Sequence, residues 1–374
     1  MRRWSVLFAI VLLVGCSNSK GGNNQSGDTS GRGTGVNDSG SQADDTSESP
    51  PEDTESQNDP ADTETDDSGQ QSKMDSGNQS MSFDCDNPDS DWLFCEDFEY
   101  GDGDWKTWLA DSDFLNPKGG DDRGRIKLSD RHSTSGKWSV FMPASKDSNY
   151  RGAALSWYAC KGKQEVNCDL KGYDKLYFRT RVRFAKDHDY VHHFLNIRGR
   201  DRFWAYGSAG CMPNGESAMG TTVDFEEDSH STFFYTYHLD MSCDTNCGRY
   251  LNVDQRCKQC KDKGFPTCQN QKQCCWGNKY KPDPEVKLPT GEWFCLEMMM
   301  DANTPGKADG KMAYWVDGKP GHSVDGIRWR TTKDLQLNQA GLQHYIADGD
   351  ADSPNRVWFD DVVVSTSRIG CPNR

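Results

Sequence analysis

The chain has 374 residues, a formal net charge of −15, 27% charged residues and only 34% hydrophobic ones. A chain this acidic lacks the basic surface that a phosphate backbone selects, so no nucleic-acid partner is expected. Fifteen cysteines, fourteen of them beyond residue 82, argue against a reducing compartment and for disulfides.

The N-terminus reads Arg2-Arg3, an apolar run from Trp4 to Val14, then Gly15-Cys16. A short basic region, a hydrophobic core and a small residue before a cut make an export signal. The run is too short to cross a bilayer, which takes roughly 20 residues as a helix. The tetrad Leu13-Val14-Gly15-Cys16 resembles the lipobox of bacterial lipoproteins. That resemblance implies cleavage after residue 15, a lipid on the Cys16 sulfur and a mature chain tethered to a bacterial membrane. Ser17, which is not Asp, resembles the sorting pattern for the outer membrane or cell surface.

Residues 17 to 82 hold 14 Asp or Glu against Lys20, Arg32 and Lys73, with no aromatic, Leu or Ile. Such a segment cannot bury enough apolar surface to offset chain entropy, so residues 16 to 82 are expected to be a disordered, lipidated acidic tether. Most of the negative charge sits there, and self-repulsion keeps the tether extended.

Residues 83 to 374 are long enough for one all-β domain. Runs from Lys175 to Phe184, Val191 to Arg198, Ser231 to Leu239, Glu292 to Asp301, Lys311 to Val316, Leu335 to Ile346 and Val357 to Thr366 alternate or are β-branched. Gly, Pro, Asn or Asp bound each run, so each is expected to be a strand. No long stretch has helical period. Many strands and few helices predict a two-sheet jelly-roll sandwich.

Within it, residues 243 to 275 carry seven cysteines, Cys243, Cys247, Cys257, Cys260, Cys268, Cys274 and Cys275, among Lys, Asn, Gln and Gly. This predicts a disulfide-rich insertion stapled because it has no core of its own. An odd number requires at least one bridge to the body, for instance to Cys211 or Cys295. Zinc held by Cys257 and Cys260 is the alternative, disfavoured by the oxidising compartment.

Alternation also sorts side chains by face. Phe178, Val182 and Phe184 share one face of their strand, and Arg179, Arg181 and Arg183 share the other, predicting an exposed arginine row. The next run separates His193, Leu195 and Ile197 from His192, Phe194, Asn196 and Arg198. Tyr235 and Tyr237 share a face opposite His238.

The stretch from Trp293 to Gly318, above all Asn303 to Gly310 ahead of Trp315-Val316-Asp317-Gly318, resembles bacterial and fungal polysaccharide lyases of the glucuronan and alginate kind. Residues Trp358 to Gly370 are similar to the last strand of those proteins and of related non-catalytic secreted, cellulose-associated proteins, read as an edge strand. The resemblance implies a concanavalin-A-like jelly roll and a polysaccharide partner, with a polyuronate as the candidate. Phe94 to Glu99 with Trp105, and Asp360-Asp361, resemble the closing strands of calcium-stabilised jelly rolls, which implies a structural calcium on Glu99 and Asp361.

β-Elimination on a polyuronate requires a group that neutralises the carboxylate, a base for the C5 proton and an acid for the leaving oxygen. Arg179, Arg181, Arg183, Asn196 and Arg198 are the candidate carboxylate binders, His192 or His193 the base, and Tyr235 or Tyr237 the acid. No lyase catalytic set aligns residue by residue, so non-catalytic glycan binding is preferred, with lyase activity and a structural surface role as alternatives. Glu297 is the one acid watched for glycosidase chemistry. Gly-x-Ser-x-Gly, His-Glu-x-x-His, phosphate-loop and dinucleotide motifs are absent.

Overall fold

The computed structural model describes residues 84–99, 103–104, 108, 114–115, 125–144, 152–159, 172–189, 191–201, 210–226, 229–243, 260, 275–346 and 355–371. Cys16, the signal, the tether and most of the insertion lie outside them. In chain order the strands are β1 (Trp92–Glu96), β2 (Phe114–Leu115), β3 (Lys127–Ser129), β4 (Ser139–Ala144), β5 (Gly152–Tyr158), β6 (Lys175–Phe184) and β7 (Leu195–Arg200). They continue with β8 (Ala218–Phe225), β9 (Thr232–Tyr237), β10 (Asn278–Tyr280), β11 (Trp293–Asp301), β12 (Gly310–Val316), β13 (Lys319–Ile327), β14 (Leu337–Tyr345) and β15 (Asn355–Ser365).

They form two antiparallel sheets. The first runs β13-β12-β11-β6-β15-β4-β3 with β1 also on β15, and the second runs β10-β9-β8-β7-β14-β5-β2. The expected all-β sandwich is therefore the observed architecture. Alternation explains how it closes. Leu176, Phe178, Val182 and Phe184 of β6 point inward and are fully buried, facing Phe194, Ile197, Val223, Phe225 and Phe234 from the second sheet in one core. Burying each such side chain stabilises by about 1.5–3 kcal/mol.

One turn flagged by the sequence organises the β11–β12 hairpin. Asn303, fully buried, accepts from the Trp329 and Arg330 main-chain N–H groups at 2.7 and 2.8 Å and donates to three carbonyls, those of Thr304, Lys307 and Arg330. At one end of the sandwich a histidine chain joins the sheets. His344 Nδ1 donates to the Met142 carbonyl at 2.7 Å, which leaves its Nε2 to accept from His188 Nε2 at 3.0 Å. His188 Nδ1 then accepts from His230 Nε2 at 3.1 Å. Burial drives the His344 pKa down to about 3 and that of His188 well below the ordinary imidazole value, the latter with help from its two histidine neighbours. Burial likewise lowers His230.

Three expectations are corrected. The arginine row is not exposed: Arg179 is 2% and Arg181 9% accessible, and Arg183 is half-buried. The alternation placed them correctly on the outer face, but the C-terminal segment crosses that face. Glu297, itself fully buried, accepts from the Ile369 and Gly370 N–H groups at 2.8 and 3.2 Å, and Arg179 Nη1 donates to the Gly370 carbonyl. Cys295–Cys371 ties the segment down, and Trp92 packs 5.6 Å from the Arg179 guanidinium. Glu297 is thus the clamp of this strap. Second, β15 is no edge strand: it lies between β6 and β4. Third, β7 begins at Leu195, and Phe194 and Leu195 are both buried, so the alternation breaks there and His193 joins the face of Asn196 and Arg198.

Four disulfides lie among the described residues: Cys85–Cys95, Cys211–Cys260, Cys243–Cys275 and Cys295–Cys371. Cys260 supplies the link from insertion to body through Cys211, which removes it from the zinc alternative.

Candidate functional site

The outer face of the second sheet gathers the remaining candidates in rows set by strand register. One row reads Tyr158, Gln339, Arg198, Gly220, Tyr237 across β5, β14, β7, β8 and β9. The next reads Ser156, Gly341, Asn196, Thr222, Tyr235, Lys279, ending on β10. Sequence reasoning found four of these residues and missed β8 altogether, because Ala-Met-Gly-Thr-Thr-Val-Asp-Phe shows no clean alternation of apolar with polar residues.

The glycines of β8 and β14 decide what the rows can hold. A Cβ at Gly220 would stand 2.9 Å from Arg198 Cγ, and one at Gly341 would stand 3.0 Å from the Asn196 amide. Their absence lets Arg198 and Asn196 lie across neighbouring strands. Its main chain belongs to the β7 ladders, but the Arg198 side chain makes no hydrogen bond or ion pair with a described residue. Burial lowers its pKa, opposed by Tyr158, Asp224 and Tyr237 nearby. A half-buried guanidinium that makes no ion pair with a described residue offers a seat for a carboxylate. Asn196 donates through Nδ2 to the Gly341 carbonyl at 3.3 Å, while its Oδ1 is buried and meets no donor. That oxygen therefore suits a hydroxyl donor rather than the carboxylate expected from the sequence.

Beyond Tyr235 the face ends in histidines. Asp224 Oδ2 lies 2.9 Å from His193 Nδ1, and the His193 ring stacks on Tyr345 with centroids 5.8 Å apart and stands 5.6 Å from Tyr235. The Tyr235 and Tyr237 hydroxyls are 3.2 Å apart. His192 packs against His193 at 4.2 Å, and its pKa is held well below the ordinary value by burial, then by His193 and Lys279. Arg200 closes the other end, its Nε 2.8 Å from Gln339 Oε1. The structure thus brings together His192, His193, Asn196, Arg198, Tyr235 and Tyr237, and puts Arg179, Arg181 and Arg183 on the opposite sheet.

The two calcium candidates are held by one loop. Glu99 accepts from the Lys137 and Trp138 N–H groups, so its oxygens are engaged. Asp361 accepts from Thr134 Oγ1 at 2.9 Å and Ser135 Oγ at 2.6 Å. Asp360 beside it is fully buried, and burial followed by the charge of Asp361 pushes its carboxyl well above the usual range. Among the described residues no group of three or more His, Cys, Asp or Glu is arranged to hold a metal ion. Any cation here would rest on Asp361 and hydroxyl oxygens, a donor set that suits a hard ion.

No family model matches the sequence, and no curated protein matches it either. Solved structures do. A PL-14 alginate lyase from Aplysia kurodai aligns over 74% of this chain and 99% of its own, at 14% identity and a TM-score of 0.52. An endo-β-1,4-glucuronan lyase from the fungus Trichoderma reesei covers 74% of this chain and 96% of its own at 14% identity and TM-score 0.42. An alginate lyase from a Chlorella virus covers 65% and 94% at 13% and 0.42. At such identities the likeness concerns architecture, and it rests on the first of the three: the domain is a jelly-roll sandwich with the fold of a polysaccharide lyase.

Proposed function

We propose that the protein binds a polyuronate across the outer face of the second sheet and cleaves it by β-elimination. One observation carries the reading: Arg198, in no ion pair with a described residue, stands in the same row as Tyr237, with the His193–Asp224 pair on the same face. In that arrangement Arg198 neutralises the sugar carboxylate and Asn196 Oδ1 accepts from a sugar hydroxyl. His193 Nε2 takes the C5 proton, and the C5–H electron pair becomes the C4–C5 double bond as the C4–O bond breaks. Tyr237 donates its hydroxyl proton to the departing oxygen. Stabilising the charge that develops on the carboxylate is the largest contribution expected of such a site. The alginate lyase of the same fold supports the substrate class.

A second reading, glycan binding without cleavage, is favoured by the Tyr235–Tyr237 hydroxyl contact, which commits each hydroxyl in part to the other. Incubating the purified domain with alginate, glucuronan and pectin and following the ultraviolet absorbance of the unsaturated product separates the two. Signal on any polymer supports elimination, and retained binding with no signal supports the second reading.

The lipobox-like tetrad ending at Cys16 supports export and lipid anchoring at a bacterial outer membrane or cell surface. Two or more acyl chains would make that anchor durable. Calcium at Asp361 would be structural.

A further inference from the structure

Asp224 is an unusual acid for a sheet face: it is 1% accessible, and burial raises its pKa against the pull of His193. Its oxygens divide their work. Oδ1 accepts from the Phe194 N–H at 3.3 Å, and Oδ2 meets His193 Nδ1 at 2.9 Å. The carboxylate therefore grips both the main chain next to His193 and the ring. The ring has little other freedom, lying between Tyr345 and Tyr235 with His192 against it. Because His193 lies just before β7, where the alternation breaks, no strand pairing beyond a single bridge to Tyr345 fixes its direction.

Resting on the elimination reading, we propose that Asp224 is a positioning residue that keeps the His193 proton on Nδ1 and so presents the Nε2 lone pair to the sugar. A carboxylate at Nδ1 selects that tautomer and stabilises the imidazolium formed once the C5 proton has been taken. The charged and titratable groups around the ring are Asp224 from β8, Tyr235 from β9, Tyr345 from β14, His192 from its own segment, Lys279 from β10 acting through His192, and Arg198 from β7 acting through Asp224. Among the described residues, Asp224 is the one negative charge in direct contact with the ring.

The variant is Asp224→Asn, whose amide can turn its NH2 toward Nδ1 and drive the proton to Nε2. Two measurements are made on wild type and variant. Nitrogen-15 NMR of the histidine ring reads the tautomer and titration of His193, whether or not the protein is active. Steady-state kinetics on the polyuronate that the wild type cleaves gives kcat, KM and the pH profile. The expected result is Nδ1–H in the wild type and Nε2–H in Asp224→Asn, with kcat falling on the order of 100-fold, KM little changed and the acidic limb of kcat/KM shifted to lower pH. A wild-type spectrum with the proton on Nε2 overturns the inference, even if Asp224→Asn does not fold. An unchanged tautomer in the folded variant, or a loss of kcat that follows loss of folded protein alone, also overturns it. A wild type without elimination but with the expected tautomers sinks the catalytic reading and leaves the positioning role of Asp224 standing.

Discussion

Arg198 and Tyr237 face each other across Gly220, on neighbouring strands of one sheet, with nothing at position 220 to separate them. Replacing Gly220 with Val sets a branched side chain 2.9 Å from the Arg198 stem and must displace the guanidinium. Polyuronate affinity is expected to fall about tenfold, equivalent to 1.4 kcal/mol. Calorimetric titration checks this, with a melt to show that the sheet is intact.

Arg198→Ala removes the counter-charge itself. Charge-assisted hydrogen bonds contribute about 1.5–3 kcal/mol, so binding of the acidic polymer should weaken by roughly 10- to 100-fold while a neutral glucan is unaffected. Arg181→Ala, on the outer face of the other sheet, is expected to leave polyuronate binding unchanged. A reversal of these two results would move the site to the first sheet.

The histidine chain makes stability depend on acid. Well above pH ~6.5 all three rings are neutral whether the chain is folded or not. Below that, the unfolded chain takes up protons that folded His344, His188 and His230 refuse, so stability falls as pH drops, for His344 until about pH 3. Each ring contributes up to about 1.4 kcal/mol per pH unit. Urea melts at pH 7.5 and 5 should show the slope, and His344→Gln should flatten it. Parallel slopes in wild type and variant would remove His344 as its source.

Calcium at Asp361 is tested by melting. Asp97 is half-buried with its carboxyl pushed up, first by burial and further by the charges of Asp361 and Asp86. A cation beside Asp361 would relieve that repulsion. Millimolar calcium should therefore raise the melting temperature of the wild type, EDTA should lower it, and Asp361→Asn should respond to neither.

How far the sequence reached depended on what each position reports. β6 was readable to the residue, since Lys175–Phe184 is bounded by clear signals and alternates without a break. The arginines were put on the right face yet wrongly read as exposed, because period 2 says which residues share a face and nothing about a segment from 190 residues away that crosses it. His193 went to the wrong face because Phe194 and Leu195 both turn into the core. Asp224 was invisible: within β8 it resembles any polar strand residue, and only the partner from another loop gives it meaning. The Tyr235–Tyr237 pair and Asn196–Arg198 were found because each pair sits two apart on its own strand.

The central place of β15 carries a consequence for assembly. β1, β4 and β6 all pair with residues 355–365, so a chain cut before Asn355 keeps the β13-β12-β11-β6 and β4-β3 parts of the first sheet without the strand that joins them. The first sheet is whole only when this strand, late in the sequence, is in place. Cys295–Cys371 ties β11 to the segment that follows β15, so the bond spans the strand on which the two parts of the sheet depend.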